Sequence, residues 1–338
     1  MNNVSHRFDG KQIVVTGGSG LLGSAMKAML ESFFPGALVH APSSWQMDLM
    51  NYDDTHDFVN LVRPELVLHC AGTVGGIVAN RDNPWRFLTD NARMALNVVE
   101  ACRKCDVPSF GFMGSACVYP ADATSPIREG ALYQGPPQRE NQPYGIAKWL
   151  GIEATRICYD EGRDYTTFMP CNLFGRNDNY DPIDSHVIPG LFYKIARTKE
   201  LGGRVVKCWG DGTARRDFLA ADDAAYMILR YFCRKNRKGR RQMLNITSEV
   251  DYQIQRVAGY IKNIVYPEAE LVWGDATNNG QATRFLSSRF YEATMTAWES
   301  DLEPICLRSI YVSLERLWKE QLSKIPTDRW KQKSVATR

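Results

Sequence analysis

A tyrosine and a lysine four positions apart are placed to transfer a proton. Tyr144 and Lys148 begin a helical run that the residue pattern predicts over 144–160. Because positions i and i+4 lie on one face of a helix, the ammonium would lie beside the phenol and lower its pKa. Such a phenol could protonate a carbonyl oxygen during a reduction. The same spacing is common on ordinary helix surfaces, so the assignment depends on what else the sequence supplies.

A serine after a predicted strand would complete this group. Ser115 follows a strand predicted over residues 109–113. In a doubly wound sheet the carboxyl ends of the strands line the ligand crevice, where Ser115 could hydrogen-bond the same carbonyl oxygen. The sequence therefore predicts that Ser115, Tyr144 and Lys148 act together on a ketone.

A glycine-rich turn separates the first predicted strand, residues 12–16, from a helix predicted over 21–33. Its G-x-x-G-x-x-G spacing permits a tight turn and brings backbone N–H groups against a pyrophosphate at the positive end of the helix. A purely structural turn is the less favoured alternative. The predicted cofactor-binding residues here are Gly17, Gly18, Ser19, Gly20, Leu21, Leu22 and Gly23.

The segment after the second predicted strand favours NADP over NAD. NAD sites usually carry an acidic residue there, which holds the ribose hydroxyls. Residues 40–44 read His-Ala-Pro-Ser-Ser, so no carboxylate would repel a 2′-phosphate, although no Arg or Lys is there to attract one. Asp48, followed by Leu49, could accept a hydrogen bond from the adenine amino group or could cap the next segment.

The elements that must hold these residues alternate along the chain. Strands are predicted over 12–16, 37–40, 66–70, 109–113 and 165–169, and helices over 21–33, 53–62, 84–102 and 144–160. This alternation predicts an α/β fold with a doubly wound parallel sheet, the Rossmann arrangement. We expect a cofactor domain over residues 1–171, a smaller α/β substrate lobe over 172–326 whose chain could cross back to the sheet, and a polar tail over 327–338.

Composition narrows the class of protein. The 338 residues are 44% hydrophobic and carry a net charge of only +3, which argues against a dedicated nucleic-acid binder. No apolar run approaches the roughly 18 residues of a membrane span, and the polar N-terminus lacks the core of a signal peptide. Nine scattered cysteines suit a reducing compartment. We expect a cytoplasmic protein with neither a nucleic-acid nor a membrane partner.

Two local clusters could be taken for functional sites, but each lacks the residues that such a site needs. Cys102 and Cys105 form a single C-x-x-C, and no further ligands follow at the spacing of a zinc site, so no metal site is predicted. Six basic residues lie between positions 234 and 241 without interleaved aromatic residues on which bases could stack. We interpret that run as a solvated loop.

The glycine turn, the strand-end serine and the Y-x-x-x-K pair, in this order, resemble the extended short-chain dehydrogenase/reductase family over about residues 11–225. Four further stretches are similar to its GDP-L-fucose synthase branch, the GDP-4-keto-6-deoxymannose epimerase/reductases. They are V-G-G-I-V-A-N at 74–80, S-A-C at 115–117, the run from N-L-F-G at 172–175 to S-H-V-I-P-G at 185–190, and W-G-D-G-T-A-R-R-D-F-L at 209–219.

The resemblance implies an activity and a role for each matching residue. NADPH would reduce the C4 ketone of a GDP-linked 4-keto-6-deoxy sugar after inversion of C3 and C5, with Cys117 as base and His186 as acid. Cysteine and histidine both titrate near neutral pH, as that chemistry requires. Tyr144, Lys148 and Ser115 would serve the reduction. The alternatives are a reductase in which Cys117 and His186 are idle, an epimerase/reductase of a related keto-sugar or heptose, an NAD-dependent 4-epimerase, and a non-catalytic nucleotide-binding protein.

The same resemblance implies the ligand-binding positions and the assembly. Lys194 stands where arginine is usual, and Ala116 where a second hydroxyl residue is usual. A homodimer is expected. The further implied cofactor-binding residues are Lys148, Pro170, Asn172, Leu173 and His186, and the implied substrate-binding residues are Asn172, Lys194, Trp209, Arg216 and Arg284.

Overall fold

The computed structural model describes residues 6–182, 184–234, 240–275, 281–297, 309–324 and 327. The strands are β1 Gln12–Thr16, β2 Leu38–His40, β3 Leu66–His69, β4 Ser109–Met113, β5 Asp164–Pro170, β6 Asn172–Phe174, β7 Val205–Lys207, β8 Arg215–Ala220, β9 Met243–Ile246, β10 Asp251–Gln253, β11 Glu270–Val272 and β12 Thr283–Arg284. The helices are α1 Leu21–Phe33, α2 Tyr52–Val62, α3 Ile77–Asp82, α4 Pro84–Lys104, α5 Gln142–Asp160, α6 Val187–Glu200, α7 Ala221–Phe232, α8 Ile254–Val265, α9 Arg289–Ala297 and α10 Ile310–Glu320.

A six-stranded parallel sheet forms the centre of the molecule, in the order β2-β1-β3-β4-β5-β9. Every residue of β3 and β4 is buried, as expected for strands covered by helices on both faces. The order reverses between β1 and β3, and this reversal opens a crevice at the carboxyl ends of the strands. The predicted doubly wound α/β fold is confirmed. The predicted elements of the first half are present, with ends that shift by at most two residues.

A smaller lobe covers one end of the sheet. Strand β8 pairs with β6, β10 and β12, while β7 pairs with β11. Helices α6, α8 and α10 enclose a second apolar core that includes Phe192, Ile195, Val257, Ile261 and Leu314. Between these elements the chain returns to the sheet, because α7 packs against α1 and β9 pairs with β5. The domain boundaries expected from the sequence stay a prediction.

The basic run differs from its interpretation as a solvated loop. Arg234 is only 1% exposed, and its guanidinium forms an ion pair with Asp164 and donates to the carbonyl of Tyr231 at 2.9 Å. A buried charge needs such a partner, and the partner comes from a strand 70 residues away, which spacing does not reveal. Arg240 stacks on Tyr159, 4.7 Å from the ring centroid. Residues 235–239 lie outside the described part of the chain.

The expected polar tail falls largely outside the described residues, whereas the expectation about membrane spans falls mostly within them. Of the predicted polar tail, only Thr327 is described, and its backbone N–H donates to Glu200 at 2.9 Å. In the described ranges, no helix combines the length and the apolar character that a membrane span requires.

Candidate active site

The glycine turn forms a cradle against the sheet. Gly17 has a φ of +66°, and a Cβ there would lie 2.7 Å from the Cα of Ala71. A Cβ at Gly23 would lie 2.2 Å from the carbonyl oxygen of Gly17. Helix α1 starts directly after the turn, and no side chain caps its first backbone N–H groups. Backbone donors at a positive helix end, in a turn that its glycines keep narrow, fit the diphosphate of a dinucleotide.

The segment that would meet the 2′-phosphate is polar and open. The imidazole of His40 hydrogen-bonds Gln12 at 2.5 Å, and the hydroxyl of Ser43 donates to Gln46 at 3.1 Å. Asp48 accepts the backbone N–H of Met50 at 2.9 Å, so it does cap the following turn, and its contact with adenine stays a prediction. The position after β2 thus matches the sequence argument for NADP.

Ser115, Tyr144 and Lys148 meet at the carboxyl end of β4. Lys148 donates to the carbonyl of Met113 at 2.8 Å, and Ser115 lies close enough to Tyr144 to influence its phenol. Burial raises the pKa of Tyr144 above its usual range, the charge of Cys117 adds to that rise, and Ser115 opposes it. Lys148 is not among the groups that shift this pKa, and the expectation that it lowers the pKa is wrong. The ammonium is turned to the Met113 carbonyl, 5.8 Å from the centre of the tyrosine ring.

Burial governs the groups around Lys148. Only 5% of the lysine is exposed, and its pKa is lowered to about 8 by desolvation, with the charge of Cys70 opposing. Burial also lowers the pKa of His69 to about 3 and raises that of Cys70 to about 12. His69 is held by the Thr16 hydroxyl at 2.8 Å. The floor of the crevice is thus a dry region in which one cation is only weakly stabilised.

Cys117 lies in a short 3-10 helical turn, Ala116–Val118, which we call the thiol turn. The hydroxyl of Ser115 accepts the backbone N–H of Cys117 at 3.2 Å and so caps this turn. From the start of α5, the side-chain amide of Asn141 donates to the Cys117 sulfur at 3.8 Å. The thiol is half-buried and close enough to Tyr144 to influence its charge. The predicted base and the predicted proton donor therefore share one site.

His186 is the N-cap residue of α6, the first helix of the lobe. The residues just before it touch the loop after β3, where the backbone N–H of Gly76 donates to the carbonyl of Asp184 at 3.0 Å. A Cβ on Gly76 would lie 3.2 Å from that oxygen, which explains the glycine in the V-G-G stretch. His186 is open to solvent, yet the surrounding walls lower the pKa of its imidazole by desolvation.

The lobe contributes cations and an aromatic plane. Trp209 is 68% exposed, with the ammonium of Lys194 5.5 Å from its ring centroid. Arg216 and Arg284 occupy paired positions on β8 and β12. Burial lowers the pKa of both arginines, and for Arg216 the neighbouring Arg284 adds to this effect. The predicted substrate residues thus form two pairs in this lobe, Lys194 with Trp209 and Arg216 with Arg284, and Arg284 turns toward the thiol turn. An exposed ring beside a cation suits a nucleoside, and arginines suit a diphosphate.

Three predicted cofactor residues follow β5. Pro170 ends that strand, and Leu173 packs against the main core. The side-chain amide of Asn172 donates to the carbonyl of Asp217 at 3.0 Å, which fixes its orientation at the junction of sheet and lobe. Their contacts with a cofactor stay predictions.

Sequence reasoning missed three polar residues. Buried Asn91 ties the loop after β3 to α4 by accepting from the Thr73 N–H and donating to the Thr73 carbonyl, each at 3.0 Å. Asn141 contacts the thiol. Buried Asp217 accepts from Thr247 at 2.8 Å and from the N–H of Leu286 at 3.0 Å, and burial raises its pKa to about 6. The signal for Asp217 was its place inside R-R-D-F, whereas nothing local marks Asn91 or Asn141.

Comparison with known proteins supports the motif-based resemblance. The model of the NAD dependent epimerase/dehydratase family matches residues 13–247. A GDP-L-fucose synthase of Azorhizobium caulinodans is 38% identical over 225 residues, which is 65% of this chain and 70% of that protein. A GDP-L-colitose synthase of Yersinia pseudotuberculosis is 32% identical over 273 residues, 77% of this chain and 86% of that protein.

A solved structure agrees over nearly the whole chain. The GDP-L-fucose synthetase of Naegleria fowleri bound to NADP superposes with a TM-score of 0.78 at 26% identity, covering 94% of each chain. The predicted resemblance to the GDP-L-fucose synthases is confirmed.

Proposed function

We propose that this chain, which belongs to the NAD dependent epimerase/dehydratase family, is an NADPH-dependent enzyme that converts GDP-4-keto-6-deoxy-D-mannose to GDP-L-fucose. The observation that carries the proposal is the shared site of the Cys117 thiol, the Ser115 hydroxyl and the Tyr144 phenol. A reductase needs the last two groups, and only an epimerase also needs a base beside them. The glycine cradle and the NADP-bound relative support the cofactor assignment.

In the epimerisation, Cys117 removes the proton next to the C4 ketone, first at one carbon and then at the other. Ser115 and Tyr144 hydrogen-bond the ketone oxygen and stabilise the negative charge that develops on it. His186 returns a proton from the opposite face, which inverts that centre. Before the second inversion Cys117 gives its proton to water and His186 takes one up from water. Because desolvation lowers the pKa of His186, its imidazolium form gives up a proton more readily than a free imidazolium would.

In the reduction, bound NADPH supplies the hydride that C4 receives. Tyr144 gives its hydroxyl proton to the C4 oxygen, so that the ketone becomes an alcohol. The raised pKa of Tyr144 keeps that proton in place at neutral pH until it is needed. Lys148 holds the Met113 carbonyl at the end of β4, and its ammonium lies 5.8 Å from the centre of the tyrosine ring.

The deciding experiment separates the two halves of the reaction. The protein is incubated in D2O with GDP-4-keto-6-deoxymannose, without NADPH, and deuterium at C3 and C5 is measured by NMR; NADPH oxidation is then followed separately. Wild type should do both. Cys117→Ala should lose deuterium incorporation by about 10²- to 10⁴-fold because its base is gone. Unchanged L-sugar production by that variant would leave only a ketoreductase.

A related nucleotide-linked 4-keto sugar is the second candidate substrate. It is favoured by Lys194, which cannot grip a phosphate in the bidentate manner of the usual arginine, and by the similarity to a GDP-L-colitose synthase. Comparing kcat/KM across a panel of GDP-linked keto-sugars decides between the two. Turnover of the other sugars alone would reject the fucose assignment and keep the class of enzyme.

The proposal includes assembly as a homodimer. Helices α4 and α5 pack side by side and expose apolar residues on their outer surface, namely Leu96, Ile146, Leu150 and Ile157. A second copy of the same surface would cover them. Leu150→Glu should convert the dimer to a monomer in sedimentation, whereas Leu61→Glu, which changes an exposed leucine on α2, should not. A cytoplasmic location is proposed too, supported by the free thiols of all the described cysteines.

A further inference from the structure

Two arginines stand side by side at the substrate end of the crevice. Strands β8 and β12 run parallel, with Arg284 paired to Arg216. Resemblance alone gives both the same task, binding the diphosphate. Their hydrogen bonds differ, however, and the difference suggests separate tasks.

The terminal nitrogens of Arg284 are fully used inside the protein. One donates to the carbonyls of Ala116 at 2.8 Å and Tyr119 at 3.0 Å. The other donates to the carbonyl of Pro120 and the side-chain oxygen of Gln281, both at 3.1 Å. A guanidinium has four N–H bonds on these two nitrogens, so a diphosphate could gain them only by breaking bonds to the chain. Arg216, by contrast, uses only one terminal nitrogen, in bonds to the carbonyls of Arg215 and Gln281.

The oxygens that Arg284 binds enclose the thiol turn. Ala116 and Tyr119 flank Cys117, and the turn carries no other cation among its recorded contacts in the described chain. None of the four acceptors of Arg284 carries a charge. The guanidinium is half-buried, and the negative charges that favour it are those of Cys117, Asp217 and Tyr119, with Cys117 the largest. Attraction is mutual, so the arginine favours the thiolate of Cys117 in return.

We infer that Arg284 is a positioning residue that holds the thiol turn and stabilises the thiolate of Cys117, while Arg216 is left to bind the diphosphate. The inference rests on the proposed role of Cys117 as base. Asn141, the N-cap residue of α5, donates to the sulfur of Cys117, and the Ser115 hydroxyl accepts the backbone N–H of Cys117. Tyr144 and Arg284 interact with the charge of the thiol. Of these only Arg284 is a cation. Its removal should therefore make the thiolate harder to form.

The test measures the thiol directly, without substrate. The rate at which iodoacetamide alkylates Cys117 is followed against pH by peptide mass spectrometry in wild type, Arg284→Met, Arg284→Lys and the matched control Arg216→Met. Arg284→Met should move the alkylation midpoint to higher pH by about one unit, with about tenfold slower alkylation below it. Arg216→Met should leave the midpoint in place and raise KM. Arg284→Lys keeps the charge without the four bonds, so its midpoint should move less while kcat for deuterium incorporation falls.

An unchanged midpoint in Arg284→Met, with KM raised as in Arg216→Met, would overturn the inference and make Arg284 a diphosphate ligand. If Arg284→Met does not fold, a wild-type kcat with a raised KM in Arg284→Lys has the same meaning. Failure of the proposed function is separate, because wild type would then incorporate no deuterium at C3 or C5. The alkylation profiles would still report whether Arg284 controls the thiol.

Discussion

The two walls of the crevice are built in opposite ways. We call the side with Ser115, Tyr144 and Lys148 the sheet wall, and the side with Lys194 and Trp209 the lobe wall. On the sheet side, Lys148 is 5% exposed and bonded to the Met113 carbonyl, and Ser115 and Tyr144 are already in contact. On the lobe side, Trp209 is 68% exposed and its neighbour Lys194 is only half-buried. The groups proposed to react are thus buried and hydrogen-bonded within the protein, whereas the groups proposed to recognise the substrate are exposed or half-buried. This difference suggests that the sheet wall determines the rate of the chemical step and the lobe wall determines affinity.

The contrast extends to charge. On the sheet wall, desolvation shifts the pKa of Lys148, His69, Cys70 and Tyr144 in the direction that disfavours the charged form. A charged group kept in such surroundings reduces the stability of the folded state. The charged group of the sheet wall therefore lowers the stability of the folded state. Variants that remove it should change both stability and kinetics, whereas variants on the lobe wall should change mainly kinetics.

The largest expected effect is on kcat at the sheet wall. Tyr144→Phe removes the only proton donor proposed for the C4 oxygen, so NADPH oxidation should fall by about 10²- to 10⁴-fold. Deuterium incorporation at C3 and C5 should persist at a reduced level, because Ser115 still holds the ketone. Tyr133→Phe is the control, since that exposed phenol bonds Glu153 away from the crevice. Equal loss of NADPH oxidation and deuterium incorporation in Tyr144→Phe would mean that Tyr144 is needed as much for the epimerisation as for the reduction.

An intermediate effect concerns stability. The pKa of Lys148 falls from 10.5 in the unfolded chain to about 8, so below pH 8 burial disfavours its charged form by about 3 kcal/mol. Between pH 8 and 10.5 the unfolded chain binds the additional proton, and this group makes stability rise with pH. Lys148→Met should remove that rise and stabilise the protein at pH 7 by about 1–2 kcal/mol after loss of one hydrogen bond, with reduction abolished.

Denaturant unfolding at pH 7 and pH 10 checks this prediction. Lys199→Met is the matched control, because exposed Lys199 also donates to a carbonyl, that of Val265 at 3.0 Å, without carrying a buried charge. A Lys148→Met variant less stable than wild type at pH 7 would mean that the bond to Met113 outweighs the cost of desolvation.

The smallest effect is expected at the lobe wall. Trp209→Ala should raise KM by about 2- to 10-fold, the amount that aromatic stacking commonly contributes, and should leave kcat nearly unchanged. Trp209→Phe keeps an aromatic plane and should stay close to wild type. Steady-state kinetics of NADPH oxidation give both constants. A fall in kcat with constant KM would show that the lobe wall also takes part in the chemical step.

On the sheet wall, local spacing in the sequence predicted most of the residues of the site. The glycine turn, Ser115 and the Tyr144–Lys148 pair are short patterns on single elements, and the period of the apolar residues predicted the strands and helices that hold them. On the lobe wall, spacing found Lys194, Trp209 and Arg216 through motif similarity, and it gave Arg284 the same task. It could not detect that Arg284 reaches Ala116, 168 residues away.

The sequence by itself determined the α/β class and the glycine turn, and it predicted which groups react, because each depends on neighbours within a few positions. Only the tertiary structure decided their electrostatics: the raised pKa of Tyr144, the ion pair of buried Arg234 with Asp164, and the four bonds of Arg284. The physical reason is that desolvation and long-range pairing depend on what surrounds a group in space, and residues distant in the chain supply those surroundings.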